Sequence, residues 1–319
     1  MNNQKTVFQS IDKLIKKSTT IFISGHLRPD GDTVGSQLSL ASLLRRLGKI
    51  PIVYNHDPIP PNLRFLPGVE NILIKKKCKD KFDLGIILEC SDVNRMGNVI
   101  DIKSQVKWTV NIDHHLIHSN FADVNYVDHN LSSSAEMVWN LFEYYNVIPN
   151  FDEAICLYTG ILTDTGNFQH SNTTPKVLKI ASDLMSKGIR PDLLHSQIYE
   201  QRSMESMRFL SYVLKNFKLL LNNKVAIVTI PKEKLRHGAR DSEEIISYLL
   251  MVASVKVGVF IRQINKEVRI SFRSKGNINV AKVAEHFGGG GHRNAAGLSL
   301  YCGLRKSKDL VLNQIKNIV

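Results

Sequence analysis

Closely spaced cysteines are missing from this chain: Cys78, Cys90, Cys156 and Cys302 are scattered over its 319 residues with no CxxC pair. A zinc knuckle needs neighbouring thiols, and a disulfide framework belongs to small cysteine-dense secreted chains, so neither is indicated. Long apolar runs are equally scarce. The nearest, YLLMVASVKVGVF at residues 248–260, is broken by Lys256 and falls short of the roughly 20 residues a membrane span needs. The first residues, MNNQKTVFQSIDKLIKK, lack the apolar core and cleavage site of a signal peptide and read as an amphipathic helix with Val7, Ile11, Leu14 and Ile15 on one face. These absences predict reduced thiols, no membrane attachment and a cytoplasmic location. Internal repeats and low-complexity segments are absent as well.

What is present is the composition of a globular protein, 43% hydrophobic and 22% charged, in a chain long enough for two domains with separate cores. The net charge of +13 is unevenly spread. Residues 216–319 hold 18 Lys plus Arg against 7 Asp plus Glu, an excess of +11, which leaves only +2 for residues 1–215. A basic final third suits a polyanionic ligand such as a phosphodiester or nucleotide, although charge of this size also serves solubility.

Short apolar runs alternate with helical patterns in the first part: TIFIS, VGSQLSLASLLRRLG, IPIVYN, FDLGIILE, VKWTVNID and SSAEMVWNLFEYY. Continuous apolar strands separated by helices predict a parallel sheet covered on both faces, with ligands bound at the carboxyl ends of its strands. Helical segments follow through FDEAICLYTGILTD, PKVLKIASDLMSKG and PDLLHSQIYEQRSMESMRFLSYVLKN, the last leading out of the domain. The texture then changes to FKLLL, NKVAIVTI, VKVGVFIRQI and EVRISFRS, with NN and NK turn signals, which predicts a smaller α+β unit. The boundary is placed near residue 210, giving domains 1–210 and 211–319.

Four polar clusters end apolar segments. SGHLRPDGDTVGS supplies His26, Asp30 and Asp32; GIILECSD supplies Glu89 and Asp92; TVNIDHHLIH supplies Asp113, His114 and His115; and TGILTDTGNF supplies Asp164. Taken singly, each is an ordinary turn, helix cap or structural histidine. Taken together, they place carboxylates and imidazoles along one edge of one predicted sheet, the donor set of a divalent metal.

These residues resemble the DHH phosphoesterase superfamily. The pattern HxxxDxD at His26, Asp30 and Asp32, the DHH at Asp113 to His115, the DTG around Asp164 and GGGGHRNAAG at 288–297 follow its order over nearly the whole chain. The glycine motif resembles the DHHA1 domain of bifunctional oligoribonucleases and pAp phosphatases. The resemblance implies an α/β fold: a parallel-sheet DHH domain with helices on both faces, plus a smaller α+β DHHA1 domain. It implies two divalent cations, most often Mn²⁺, with His26, Asp30 and Glu89 on one and Asp32, Glu89, His114 and Asp164 on the other.

The same resemblance implies His115 as a phosphoryl stabiliser or proton donor, Asp113 as the group orienting the histidine pair, and Arg95 on the substrate phosphate. Arg273, Gly290, Gly291 and His292 are implied as the cradle of the terminal nucleotide. Glu89 stands where the family usually has Asp; it is favoured over Asp92 because it sits directly at the strand end. Ser133 and Ser134 resemble a family segment, yet the helix-cap reading is preferred for them.

The expected activity is degradation of short single-stranded RNA to 5′-mononucleotides together with dephosphorylation of pAp. The alternatives are a phosphodiesterase for linear or cyclic dinucleotides such as pApA and c-di-AMP, or a non-catalytic nucleotide or RNA binder with a degenerate metal site. A homodimer is compatible with the resemblance.

Overall fold

The computed structural model describes residues 2–116, 118–235 and 242–319; for residues 2–4, 242–244 and His292 only the backbone is described. The chain divides into two compact units, Met1–Gln201 and Arg202–Val319. The first holds strands β1 (Thr20–Ser24), β2 (Ile50–Asn55), β3 (Leu73–Ile74), β4 (Phe82–Leu88), β5 (Val106–Asp113) and β6 (Val124–Val127). Its helices are α1 (Asn2–Lys17), α2 (Gly31–Arg46), α3 (Ile102–Gln105), α4 (Ser134–Tyr144), α5 (Phe151–Asp164), α6 (Pro175–Met185) and α7 (Pro191–Tyr199).

The strands form one sheet in the order β3-β2-β1-β4-β5-β6, and every pairing is parallel. Alternation sorts the side chains. Ile21, Ile23, Leu84, Ile86, Val110 and Ile112 join Leu40, Ala135, Ile161 and Ile11 of the helices in the larger core. Phe22, Tyr54 and Ile87 face the other way, under Cys78, Met96, Val99, Ile100 and the partly buried Ile102 of α3, and Phe82 at the start of β4 joins them out of strict alternation. Parallel order carries all the strand ends named above to one edge of the sheet.

Small residues set how closely the helices approach behind that edge. A Cβ at Gly35 in α2 would meet the Cys156 carbonyl of α5 at 2.3 Å, and one at Gly160 in α5 would meet Ala135 Cβ of α4 at 2.6 Å. Helix α5 begins with a capping box between Asn150 and Glu153, and Glu153 also pairs with Arg46 of α2 at 2.8 Å.

The second unit contains α8 (Met204–Asn216), β7 (Lys218–Leu220), β8 (Val225–Ile230), α9 (Ser242–Leu250), β9 (Val257–Ile264), β10 (Glu267–Ser274), α10 (Ala281–His286), β11 (Gly290–His292), β12 (Ala295–Leu300) and α11 (Leu304–Ile315). Its sheet runs β11-β12-β10-β9-β8-β7, antiparallel except for the β8/β9 pair. The segment 191–216, read from sequence as one continuous helical stretch, is two helices: α7 stops at Tyr199 and α8 restarts behind the Ser203 cap. Helix α8, expected to close the first domain, falls in the second unit. Among the described residues no helix is long and apolar enough to cross a membrane. Cys78, Cys90 and Cys156 are buried free thiols, and Cys302 is half-buried and free.

Candidate metal centre

His26 follows β1, with Nδ1 2.8 Å from the Leu27 carbonyl and Nε2 3.5 Å from Asp30 Oδ2. Asp30 is the cap of α2, its Oδ1 accepting the Thr33 N–H at 2.9 Å, which leaves Oδ2 for the imidazole. Asp32 lies in the first turn of α2 and is 1% exposed. Its carboxylate sits on the start of α4, accepting the N–H of Ser134 at 2.7 Å and of Ala135 at 2.9 Å. A helix N-terminus offers unpaired N–H groups and a favourable dipole to an anion. The space for it comes from Gly160, where a Cβ would stand 2.7 Å from Asp32 Oδ1.

Glu89 is the first residue beyond β4, with φ of 59°, the left-handed region. Its N–H is held by the Ile112 carbonyl at 3.1 Å, and its buried carboxylate accepts the Ser134 hydroxyl. His114 leaves the end of β5 and puts Nε2 3.2 Å from Glu89 Oε1 and 3.5 Å from Asp164 Oδ2. Asp164 is the last residue of α5; Asn172 donates to its carbonyl at 3.2 Å and to that of Ser132 at 2.9 Å, tying it to the α4 entry. Two sets, Asp32–His114–Asp164 and Glu89–His114–His115, each offer ligand atoms within 4.8 Å of one another.

The charges are interdependent. Burial pushes the Asp32 carboxyl well above the usual range, and the neighbouring Glu89 and Asp164 charges push it further. Burial also works against charge on Glu89, but His114 and His115 outweigh it and hold that carboxyl low. For His114 burial opposes protonation, yet Glu89 and then Asp164 and Asp32 raise it to about 11. Asp164 is lifted to about 7, by burial first and by Glu89 and Asp30 against the pull of His114. In the metal-free site a proton on His114 therefore balances crowded carboxylates.

The donor set fits a divalent cation. His114 Nε2 is buried and makes no hydrogen bond among the described residues although two carboxylate oxygens stand beside it. Carboxylates with imidazoles suit a hard or borderline ion, not a thiolate-seeking one.

Most of the residues singled out from sequence converge here, with three differences. Asp113, fully buried, holds only His115, Nδ1 to Oδ1 at 2.6 Å, and makes no contact with His114 among the described interactions. His115, expected to stand apart from the ligands, lies in the set with Glu89 and His114. Ser133 is the cap of α4, accepting the Glu136 N–H at 3.1 Å, but Ser134 reaches Asp32 and Glu89, a role its resemblance to a cap concealed. Arg95 sits in a 3-10 turn, half-buried, its carbonyl accepting the Leu27 N–H at 2.6 Å. Its guanidinium forms no ion pair among the described residues.

In the second unit Arg273 is on β10, opposite Ala295, with Nη1 donating to the Phe272 carbonyl at 3.1 Å. Gly290 and Gly291 lie on β11 opposite Gly297 and Ala296. Gly291 has φ of 143°, and a Cβ there would meet the Ala295 carbonyl at 2.4 Å, whereas one at Gly290 would meet nothing within 4 Å. His292 ends β11 by its backbone; its side chain lies outside the described residues.

Residues 20–161 match the DHH family, N-terminal domain, and residues 222–319 match the DHHA1 domain. The bifunctional oligoribonuclease and PAP phosphatase NrnA of Thermus thermophilus is 33% identical over 281 residues, covering 88% of this chain and 84% of that protein. The chain belongs to the DHH family. The cyclic-di-AMP phosphodiesterase PdeA of Listeria monocytogenes is 25% identical, covering 93% of this chain and 47% of its own length. Among solved structures, an exopolyphosphatase-related protein from Bacteroides fragilis superposes with a TM-score of 0.91 at 27% identity, covering 98% of this chain and 96% of that one.

Proposed function

We infer that this chain is a divalent-metal-dependent phosphoesterase that degrades short oligoribonucleotides to 5′-mononucleotides and dephosphorylates pAp to AMP. The observation behind this reading is His114 Nε2, buried without a hydrogen bond between Glu89 and Asp164, in a chain 33% identical to a bifunctional oligoribonuclease and PAP phosphatase. Asp32, Glu89, His114 and Asp164 are the residues to hold one cation, and Glu89 with His26 and Asp30 those to hold a second; Mn²⁺ accepts such mixed nitrogen and oxygen donors. Bound metal supplies Lewis acidity and an acidified water for in-line attack at phosphorus.

The chain's own residues supply the rest. Asp113 accepts from His115 Nδ1 at 2.6 Å and so orients the ring, as suits a group that handles a proton. Burial works against the His115 imidazolium, but Asp113 and Glu89 outweigh it and raise its pKa, which suits protonation of the leaving 3′ oxygen. Arg95 is suited to a two-pronged contact with the phosphate. Arg273 and the glycine strand are suited to the terminal nucleotide, since the open face of Gly290 lets a phosphate approach the backbone.

A dinucleotide phosphodiesterase is the second reading, favoured by the likeness to PdeA. The two are separated by product formation from pAp, an RNA dinucleotide, an RNA pentamer and c-di-AMP, with Mn²⁺ or chelator. Metal-dependent mononucleotide release from the RNAs supports the first reading, and c-di-AMP as the best substrate supports the second. No turnover of any of the four, with binding retained, returns the chain to the non-catalytic alternative.

A further inference from the structure

A lysine run outside the metal centre has no role in the chemistry above. Lys75, Lys76, Lys77, Lys79 and Lys81 are all exposed, and Asp80 is the one acid among residues 75–81, so seven positions carry an excess of +4. That acid is already engaged. The Tyr54 hydroxyl donates to Asp80 Oδ2 at 2.8 Å and the Cys78 thiol at 3.2 Å, and these bonds hold its carboxyl below the usual range. None of the five ammonium groups makes an ion pair among the described residues.

The run is also held in place. Cys78 is buried, its N–H bound to the Val99 carbonyl at 2.6 Å, and Gln105 Nε2 donates to the carbonyls of Cys78 at 3.1 Å and Asp80 at 2.9 Å. Lys75 Nζ lies 5.4 Å from the centre of the Tyr54 ring, and its N–H bonds the Asn55 carbonyl at 3.0 Å. A solvated charge run needs no such anchoring.

Its two ends lie differently with respect to the metal centre. Lys75 directly follows the carboxyl end of β3, so Lys75–Lys77 start at the sheet edge that carries His26, Glu89 and His114. Strand β3 is two positions from β1 in the sheet, about 10 Å at ~4.8 Å per strand. Lys81 directly precedes β4, whose seven residues put it about 23 Å away along the strand, at the opposite edge. Between β1 and β3 the edge holds the exposed Arg28, whose N–H bonds Asp57 at 2.9 Å.

We propose that Lys75, Lys76 and Lys77 form a binding track for the backbone phosphates of a single-stranded oligoribonucleotide, beyond the nucleotide being cleaved. The proposal rests on the oligoribonucleotide reading given above and adds a length dependence to it: pAp and a dinucleotide are too short to use the track, and a pentamer is long enough. Flexible ammonium groups hold backbone phosphates without reading bases, which suits a degradative enzyme.

The test is the triple variant Lys75→Gln/Lys76→Gln/Lys77→Gln beside Lys79→Gln/Lys81→Gln, with thermal unfolding to verify the fold. For the first variant KM for an RNA pentamer rises about tenfold, while turnover of pAp and of a dinucleotide is unchanged. The plot of log affinity against log salt becomes shallower by about 2, since three single-strand phosphate contacts at ~0.7 each are lost. The second variant behaves as wild type. Pentamer binding by fluorescence anisotropy is measured alongside, so that a wild type inactive on every substrate sinks the enzymatic reading while the track is still tested. Unchanged pentamer affinity, equal losses for pAp and pentamer, or loss only of binding to anionic lipid vesicles overturns the proposal.

Discussion

In the first unit each candidate ligand stands at or near the end of a strand or helix, and all but the exposed Asp30 are buried or half-buried; in the second, Arg273, Gly290 and Gly291 lie within the strands of a basic sheet. The difference is one of coupling. Asp32 cannot be described without Ser134, Ala135 and Gly160, nor His114 without Glu89 and Asp164. Gly290, by contrast, has open space where a side chain would go. A substitution in the first unit should therefore disturb stability and chemistry together, while in the second unit the two should come apart.

The largest separation is expected between His114→Ala and Arg273→Ala. Removing His114 takes away a proposed ligand among three carboxylates, and turnover of pAp should fall on the order of 1,000-fold, the scale of the several kcal/mol a bound metal contributes. Arg273→Ala should raise KM with a much smaller change in kcat, as expected for a residue that binds ground state and transition state alike. Equal effects on kcat from both would erase the proposed division of labour.

Glycine substitutions sharpen the same contrast on stability. Gly160→Ala would place a methyl 2.6 Å from Ala135 Cβ and 2.7 Å from Asp32 Oδ1. Helix propensity would gain about 1 kcal/mol, but overpacking costs ~1–3 kcal/mol and displaces the ligand, so lower stability and weaker metal binding should appear together. Gly291→Ala, strained by its φ and by the Ala295 carbonyl, should lose ~1–3 kcal/mol. Gly290→Ala should leave the unfolding midpoint nearly unchanged and weaken only nucleotide binding. A destabilised Gly290→Ala would make that glycine structural.

Much of this arrangement was legible in sequence because it is local. TIFIS, IPIVYN and VKWTVNID are β1, β2 and β5 to the residue, and FDEAICLYTGILTD is α5. The edge strands β3 and β6, two and four residues long, were too short to show a period. Within the site, chemistry-bearing residue types identified the carboxylates and histidines, but pairing at a distance did not show. Asp32 meets the start of α4 across 102 positions, and Ser134 looks like one more capping serine until that contact is seen. The proposed cradle did show in residue type, since the glycine run at 288–291 leaves the backbone open to a phosphate.

Metal binding should depend on pH in the first unit more than nucleotide binding does in the second. With no metal, His114 is protonated up to about 11, and Asp32 is pushed toward its neutral form. A cation must displace those protons, so affinity should rise with pH, by about tenfold per unit for each proton released. The sign for stability runs the other way. A pKa raised from 6.5 to about 11 means the His114 contribution is fully present below pH 6.5 and is lost as pH approaches 11 in the metal-free chain. Calorimetric titration of Mn²⁺ in buffers of different ionisation enthalpy would count the protons; none released would contradict this account.

The smallest expected effect concerns the one departure from the family's usual ligand. Glu89 has φ of 59°, a region in which Asp is enriched and longer side chains are rare. Glu89→Asp should therefore ease the backbone by a few tenths of a kcal/mol. Against that, shortening the side chain draws the carboxylate away from the Ser134 hydroxyl, and a hydrogen bond to a charged group contributes about 1.5–3 kcal/mol when fully made. The weakened bond outweighs that gain, so the unfolding midpoint should fall modestly, while turnover should stay within about tenfold of wild type, since either carboxylate can reach a cation beside His114. The sharper readout is metal preference. If the longer side chain sets the spacing of two cations, the Asp variant should shift the ratio of Mn²⁺-supported to Mg²⁺-supported turnover. If that ratio is unmoved and turnover is retained, Glu89 is interchangeable with Asp at this position. Activity appearing only in the variant would instead mean that the native chain is built to hold its ligand without cutting it.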